Sequence, residues 1–129
     1  MGLAQHTNTS LVTILQAQTS GLQIFRDDVG WISVLPVRGA LTVNLGDFLH
    51  ILSNGRFVSV LHRVVVNPVQ RFSVAYFYYP PSDFVVSPLL SRSVGDSGQI
   101  VARYHSVTAK EFIGMKAKNL ERALSLIKT

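Results

Sequence analysis

From Arg56 to Asn67 the chain reads Arg-Phe-Val-Ser-Val-Leu-His-Arg-Val-Val-Val-Asn, with no glycine or proline inside it. Successive side chains of a strand point to opposite faces, so this stretch predicts one long strand. One face carries Val58, Val60, His62, Val64 and Val66; the other carries Phe57, Ser59, Leu61, Arg63 and Val65. His62 therefore points into an otherwise all-valine surface. A histidine in that setting is either a core residue hydrogen-bonded to backbone or a metal ligand, neutral imidazole being the commonest one. The strand alone leaves both open.

The rest of the chain follows the same short-strand grammar. Leu11–Leu15 is apolar and β-branched, and Leu22–Phe25 and Trp31–Val34 flank a turn at residues 26–30, the outline of a hairpin. Ala40–Leu45 is a further strand stopped by Gly46-Asp47, and Phe48–Leu52 is one or two helical turns. Asn67-Pro68 turns the chain into a strand from Arg71 to Tyr78, and Pro80–Asp83 ends the β-rich part. Residues 87–103 read as a long surface loop. From Thr108 to Lys128 the period changes: Ile113, Ala117, Leu120, Leu124 and Ile127 fall on one face of an amphipathic helix, and Thr108 with Glu111 forms a capping box. Many antiparallel strands followed by one helix predict a mostly β jelly roll or sandwich. The expected division is a β domain over 1–86, a loop over 87–107 and a C-terminal helix over 108–129.

Length and composition bound the function. A chain of 129 residues, 47% of them hydrophobic, suits one domain with a real core. The absence of cysteine removes disulfides, thiolate metal sites and cysteine nucleophiles. The formal charge is +5, but the basic residues are scattered apart from Lys110, Lys116, Lys118, Arg122 and Lys128, so nucleic acid is not the expected partner. No apolar run approaches the roughly 20 residues of a membrane span. The first residues lack the layout of a signal peptide, and Asn8 does not support a myristoylation motif. A soluble cytoplasmic protein is expected, with no membrane partner.

Two pairs of polar residues complete the candidates. On the Arg71–Tyr78 strand, Arg71, Ser73, Ala75 and Phe77 share one face, which sets a guanidinium beside a hydroxyl; such a pair can bind a carboxylate, and its bland alternative is a strand-end arginine in water. His6 and Asn8 repeat the same spacing near the N-terminus. Such a pair with a distant strand histidine is the layout of a facial metal site, for which a carboxylate at the second position is the usual form. His50 and His105 receive no function. There is no G-x-S-x-G elbow and no phosphate-binding loop.

Taken in order, His6-Thr7-Asn8, His62 and Arg71-Phe72-Ser73 resemble the H-x-D … H … R-x-S signature of plant-type Fe(II)/2-oxoglutarate-dependent dioxygenases. Asn44-Leu45-Gly46-Asp47, Ile51-Leu52-Ser53-Asn54-Gly55-Arg56-Phe57 and Leu61-His62-Arg63-Val64 look like the same family. Ser73–Phe77, Ser106–Phe112, Lys116–Lys118 and Ala123–Ser125 are most similar to the branch that hydroxylates gibberellins at the 3β position. The resemblance covers nearly the whole chain. It implies a double-stranded β-helix (jelly roll, cupin-like) with a C-terminal helix. It implies Fe(II) held by His6, Asn8 and His62, and 2-oxoglutarate held by Arg71 and Ser73, with ascorbate as an auxiliary reductant. The implied partners are dioxygen and a small-molecule substrate, a gibberellin-type diterpenoid carboxylate.

The chain departs from that pattern twice. Asn8 stands at the carboxylate position, and a neutral amide oxygen supplies no charge to balance Fe(II). The family fold also carries a substantial N-terminal half before its H-x-D motif, so the expectation is a fragment, a truncated product or an inactive paralogue, with open strand edges. The competing expectations are a related plant oxygenase acting on a flavonoid or another gibberellin position, a non-catalytic jelly-roll binding module, and a basic interaction protein using the 108–128 helix.

Overall fold

The computed structural model describes residues 2–90 and 98–129. Its strands are β1 (Leu3–His6), β2 (Val12–Ala17), β3 (Leu22–Arg26), β4 (Gly30–Ser33), β5 (Thr42–Leu45), β6 (His62–Val64), β7 (Ser73–Tyr78), β8 (Val85–Val86) and β9 (Val107–Thr108); its helices are α1 (Asp47–Leu52), α2 (Ala109–Lys118) and α3 (Ala123–Leu126). The strands form a four-stranded sheet in the order β1-β6-β3-β4, a three-stranded sheet β5-β2-β7 and a small ladder β8-β9. Every strand pairing among the described residues is antiparallel. The architecture is the mostly β jelly roll that the sequence predicts. The hairpin forms as read, with Phe25 opposite Trp31 and Arg26 opposite Gly30.

The long strand is shorter than its alternation suggests. Only His62–Val64 is a strand, although the Phe25 N–H reaches the Leu61 carbonyl and the Val65 N–H reaches that of Gly21. Upstream, backbone donors go to side chains: the Phe57 N–H to Ser53 Oγ and the Ser59 N–H to His50 Nδ1. Groups bonded this way are not available to a neighbouring strand. The predicted face survives, because Val58, Val60, His62, Val64 and Val66 all line one cavity.

The C-terminal helix differs more. It breaks at Asn119 (φ −141°, ψ 65°) into α2 and α3, and its buried α2 residues are Ala109, Phe112 and Lys116. Ile113, Ala117 and Leu120 of the predicted face are exposed; only Leu124 and Ile127 at its end turn inward. The break changes the register so that Ala123 and Ile127 join the core. Lys116 can be buried because a carboxylate, Asp47, meets its ammonium. The Thr108–Glu111 capping box forms as predicted. The loop expected over 87–103 falls partly on residues 91–97, outside the described residues.

The tightest packing lies away from the two large sheets. Phe48 and Ile51 of α1, Val86, Tyr104, Val107, and Phe112, Ala123 and Ile127 of the C-terminal segment form the buried core. This core braces one end of the jelly roll and leaves the space between its sheets as a cavity. Among the described residues no helix is long and apolar enough to cross a membrane.

Candidate metal centre and anion pocket

The cavity measures about 960 Å³ and is lined from both sheets: His6, Ile24 and His62 face it from one, Thr13, Ala75 and Phe77 from the other. At one place its wall is polar. The β1–β6 pairing sets His6 directly opposite His62, and their rings stand 4.3 Å apart between centroids. His6 Nδ1 lies 2.8 Å from the Ala4 carbonyl and His62 Nδ1 lies 3.0 Å from the Val60 carbonyl. A carbonyl only accepts, so each Nδ1 carries a proton, and Nε2 is the nitrogen of each ring through which a metal could be held. Neither Nε2 has a hydrogen-bond partner among the described residues. Burial lowers the His62 pKa from its ordinary value, outweighing the carbonyl of Val60; the neighbouring His6 and Lys116 push in the same direction as burial. The shift favours the neutral imidazole, the form a metal ligand must have.

Asn8 lines the same cavity and is buried. Its Nδ2 donates to Thr13 Oγ1 at 3.0 Å, and Thr13 Oγ1 sits 2.7 Å from Ser10 Oγ. The amide nitrogen is thus committed, and Oδ1 takes no hydrogen bond among the described residues. Because position 8 is an amide, no group of three His, Cys, Asp or Glu side chains is placed to hold a metal among the described residues.

The second polar place is Arg71 with Ser73, at the start of β7. Arg71 Nη1 donates to Ser73 Oγ at 2.9 Å, and both side chains line the cavity. Arg71 Nε is buried with no hydrogen-bond partner among the described residues. A buried unpaired donor on a cation is costly, and an anion seated there removes the cost. Gly21, at φ +133°, makes room: a Cβ there would come 3.3 Å from Arg71 Cδ and 3.2 Å from the Val65 carbonyl.

His50 is structural. Its Nδ1 accepts from the Ser59 N–H and its Nε2 lies 2.6 Å from the Tyr104 hydroxyl. His105 is exposed, and its backbone N–H bonds to the Ile127 carbonyl. Sequence reasoning missed the groups behind the histidine pair: Asp47 and Lys116, which meet at Thr7. The available signal was a lysine on the Phe112 stripe of an otherwise apolar helix face, together with an aspartate directly after a glycine at a helix start.

The pattern of the 2OG-Fe(II) oxygenase superfamily matches residues 1–80, which contain both polar places. The chain belongs to that superfamily. It is 52% identical over 130 residues to gibberellin 3-beta-dioxygenase 2 of Arabidopsis thaliana and 50% identical to gibberellin 3-beta-dioxygenase 1 of Pisum sativum. Each match takes in 99% of this chain but only 37% and 34% of those relatives, so the chain spans about a third of their length. Among solved structures it is similar to the rice dioxygenase for auxin oxidation (TM-score 0.84, 29% identity, 98% of this chain and 45% of that one). It is also similar to JOX2, solved in complex with 2OG, Fe and JA (TM-score 0.82, 32% identity, 100% of this chain and 39% of that one).

The residues present fit the groups for which the superfamily is named. Two imidazoles and an amide oxygen suit Fe(II), which accepts nitrogen and oxygen donors. The unpaired Arg71 Nε beside Ser73 suits a carboxylate.

Proposed function

We propose that this chain is the catalytic jelly-roll portion of an Fe(II)- and 2-oxoglutarate-dependent oxidoreductase that hydroxylates a gibberellin-type diterpenoid carboxylate at its 3β position. The observation that carries the proposal is the pairing of two polar places in one cavity: a histidine pair whose Nε2 atoms, and an arginine whose Nε, have no hydrogen-bond partner among the described residues. His6, Asn8 and His62 hold the iron; Arg71 and Ser73 hold the distal carboxylate of 2-oxoglutarate. Iron held there would supply, with dioxygen and the conversion of 2-oxoglutarate to succinate and carbon dioxide, the oxidising power for the hydroxylation. The chain's own part is positional. The Nδ1–carbonyl bonds hold both imidazole rings in place, and Val60 and Val64 flank His62 on the cavity wall. The substrate class rests on the two gibberellin dioxygenases that match the chain along 99% of its length. A plant setting accords with the source of those relatives, and a cytoplasmic location is part of the proposal.

A second reading has one observation in its favour, the amide at position 8. A ligand set without charge binds Fe(II) less firmly, and a jelly roll that kept only the Arg71–Ser73 pocket is a carboxylate-binding module. Oxygen uptake and succinate release with Fe(II), 2-oxoglutarate and a gibberellin lacking the 3β-hydroxyl separate the two. Release that rises with the gibberellin supports the oxygenase. Saturable 2-oxoglutarate binding without turnover supports the binding module.

A further inference from the structure

Thr7 stands between His6 and Asn8, and it is held from the far end of the chain. Lys116 Nζ, on α2, donates to the Thr7 carbonyl at 2.6 Å, to Thr7 Oγ1 at 2.8 Å and to Asp47 Oδ2. Thr7 Oγ1 donates to that same carboxylate oxygen at 3.3 Å. Lys116 is 5% exposed and Asp47 is 1% exposed, so this is an interior cluster. Asp47 Oδ1 has no partner among the described residues, where the side-chain hydrogen bonds of the carboxylate go to Lys116 and Thr7 through Oδ2.

The following peptide unit is held from the same direction. The Asn8 carbonyl accepts from the Asp47 N–H at 2.8 Å. The two peptide units flanking the Asn8 Cα are thus gripped, one by the Lys116 ammonium and one by the first residue of α1. The grip requires a glycine at position 46, where a Cβ would fall 1.9 Å from the Ser10 carbonyl oxygen.

A buried ion pair is a poor source of stability, because desolvation offsets most of its attraction and an apolar pair of similar volume serves as well. An apolar pair, however, holds no carbonyl. The distinguishing effect of Lys116 is the position of the Thr7 carbonyl. We infer that Lys116, oriented by Asp47, is a positioning residue for the metal centre: it fixes the peptide unit that delivers Asn8 beside His6 and His62, and so ties the C-terminal helix to the site. The inference rests on His6, Asn8 and His62 being metal ligands.

The test is Co(II) binding to the full chain, followed by visible absorption and calorimetry, beside thermal melts. Lys116→Met is expected to weaken Co(II) binding about 10- to 100-fold, the usual effect of losing an outer partner of a metal ligand. It also lowers the melting temperature, because Asp47 is left charged and unpaired. The double variant Asp47→Asn/Lys116→Met removes that charge. It is expected to regain melting temperature and yet stay about tenfold or more weaker for Co(II). Affinity that recovers together with melting temperature, or a Lys116→Met chain that binds as the wild type does, overturns the inference. Thr7→Val changes no charge and removes one of the two acceptors Thr7 offers to Lys116; a smaller loss of affinity is expected, and none counts against the inference if neither lysine variant folds. Failure of both the wild type and Asn8→Asp to bind Co(II) overturns the metal reading itself, and this inference with it.

Discussion

His6 and His62 face each other across the β1–β6 ladder with ring centroids 4.3 Å apart, and each is tied through Nδ1 to the carbonyl two residues before it. The repeated bond puts a proton on Nδ1 of both rings, which leaves Nε2 as the ligating atom of each in the proposed iron site. Neither brings charge to a divalent ion, so the third position decides how firmly that ion is held.

Asn8→Asp is therefore expected to raise Fe(II) and Co(II) affinity. A unit charge at roughly 4 Å is worth about 4 kcal/mol at an effective dielectric constant of 20, before desolvation is deducted, so about tenfold or more is a fair expectation. The surroundings can accept the change. Thr13 Oγ1 now takes a proton from Asn8 Nδ2, and its own hydroxyl can turn to donate to a carboxylate while Ser10 donates to it. Without metal the buried carboxylate costs stability. The melting temperature of Asn8→Asp should thus fall below the wild type without metal and exceed it with saturating Co(II). Equal, weak binding by both forms places the defect elsewhere in the site.

Arg71 is expected to set 2-oxoglutarate affinity in the order wild type, then Lys, then Ala. Lysine keeps the charge but loses the planar fork that a carboxylate engages at two points. Arg71 also lies against Gly21, so Gly21→Ala should weaken binding without touching the charge: its Cβ would press on Arg71 Cδ, and its φ of +133° strains any other residue. Calorimetric titration of the four proteins with 2-oxoglutarate checks the order. Unchanged affinity across them removes the cosubstrate from this pocket.

What the sequence made legible followed from period. Alternation placed Val58, Val60, His62, Val64 and Val66 on one wall and Arg71, Ser73, Ala75 and Phe77 on another, and all nine line the cavity. It could not show where pairing stops, because Ser53 and His50 take backbone donors of 57 and 59 from sites that are distant in pattern though near in sequence. The helix misled for another reason. Apolar spacing chose Ile113, Ala117 and Leu120, whereas the buried side of α2 is Ala109, Phe112 and Lys116. A lysine counts as polar in any such pattern. Its burial depends on Asp47, 69 positions away, and no local rule reports that pairing.

His50 makes stability depend on pH. Burial lowers its pKa from the ordinary value, against the opposing charge of Asp47 and with help from Arg103. The unfolded chain therefore takes up the proton first. The contribution of His50 is complete above about pH 6.5 and is lost as pH falls through the depressed folded value. Protonation also disrupts a hydrogen bond: a protonated Nδ1 confronts the Ser59 N–H with a second donor. Urea midpoints measured from pH 8 down to pH 5 should fall below about pH 6.5. His50→Asn keeps an acceptor for Ser59 and does not titrate, so its slope should be shallower, with the remainder coming from the similarly depressed His62. Parallel curves for the two proteins remove His50 as the cause.

The outer face of β7 should govern self-association. The three-stranded sheet runs β5-β2-β7, so β7 is an edge whose far side pairs with nothing among the described residues. Val12 lies opposite Tyr78 and Ile14 opposite Tyr76, and none of the four lines the cavity, so these residues share the face turned away from it. Tyr76 is 62% exposed, Tyr78 57% and Val74 53%, which makes a contiguous apolar surface beside an open edge. Such an edge templates pairing with another chain, and natural proteins commonly blunt it with lysine. The 129-residue chain is expected to associate with rising concentration in sedimentation experiments. Tyr76→Lys should shift it toward monomer. Because Tyr76 points away from His6, Asn8 and His62, Co(II) affinity should stay at the wild-type value. Association that persists in Tyr76→Lys and in Val74→Lys would place the contact on another surface. Loss of Co(II) binding along with association would mean that the metal site is completed only between copies of the chain.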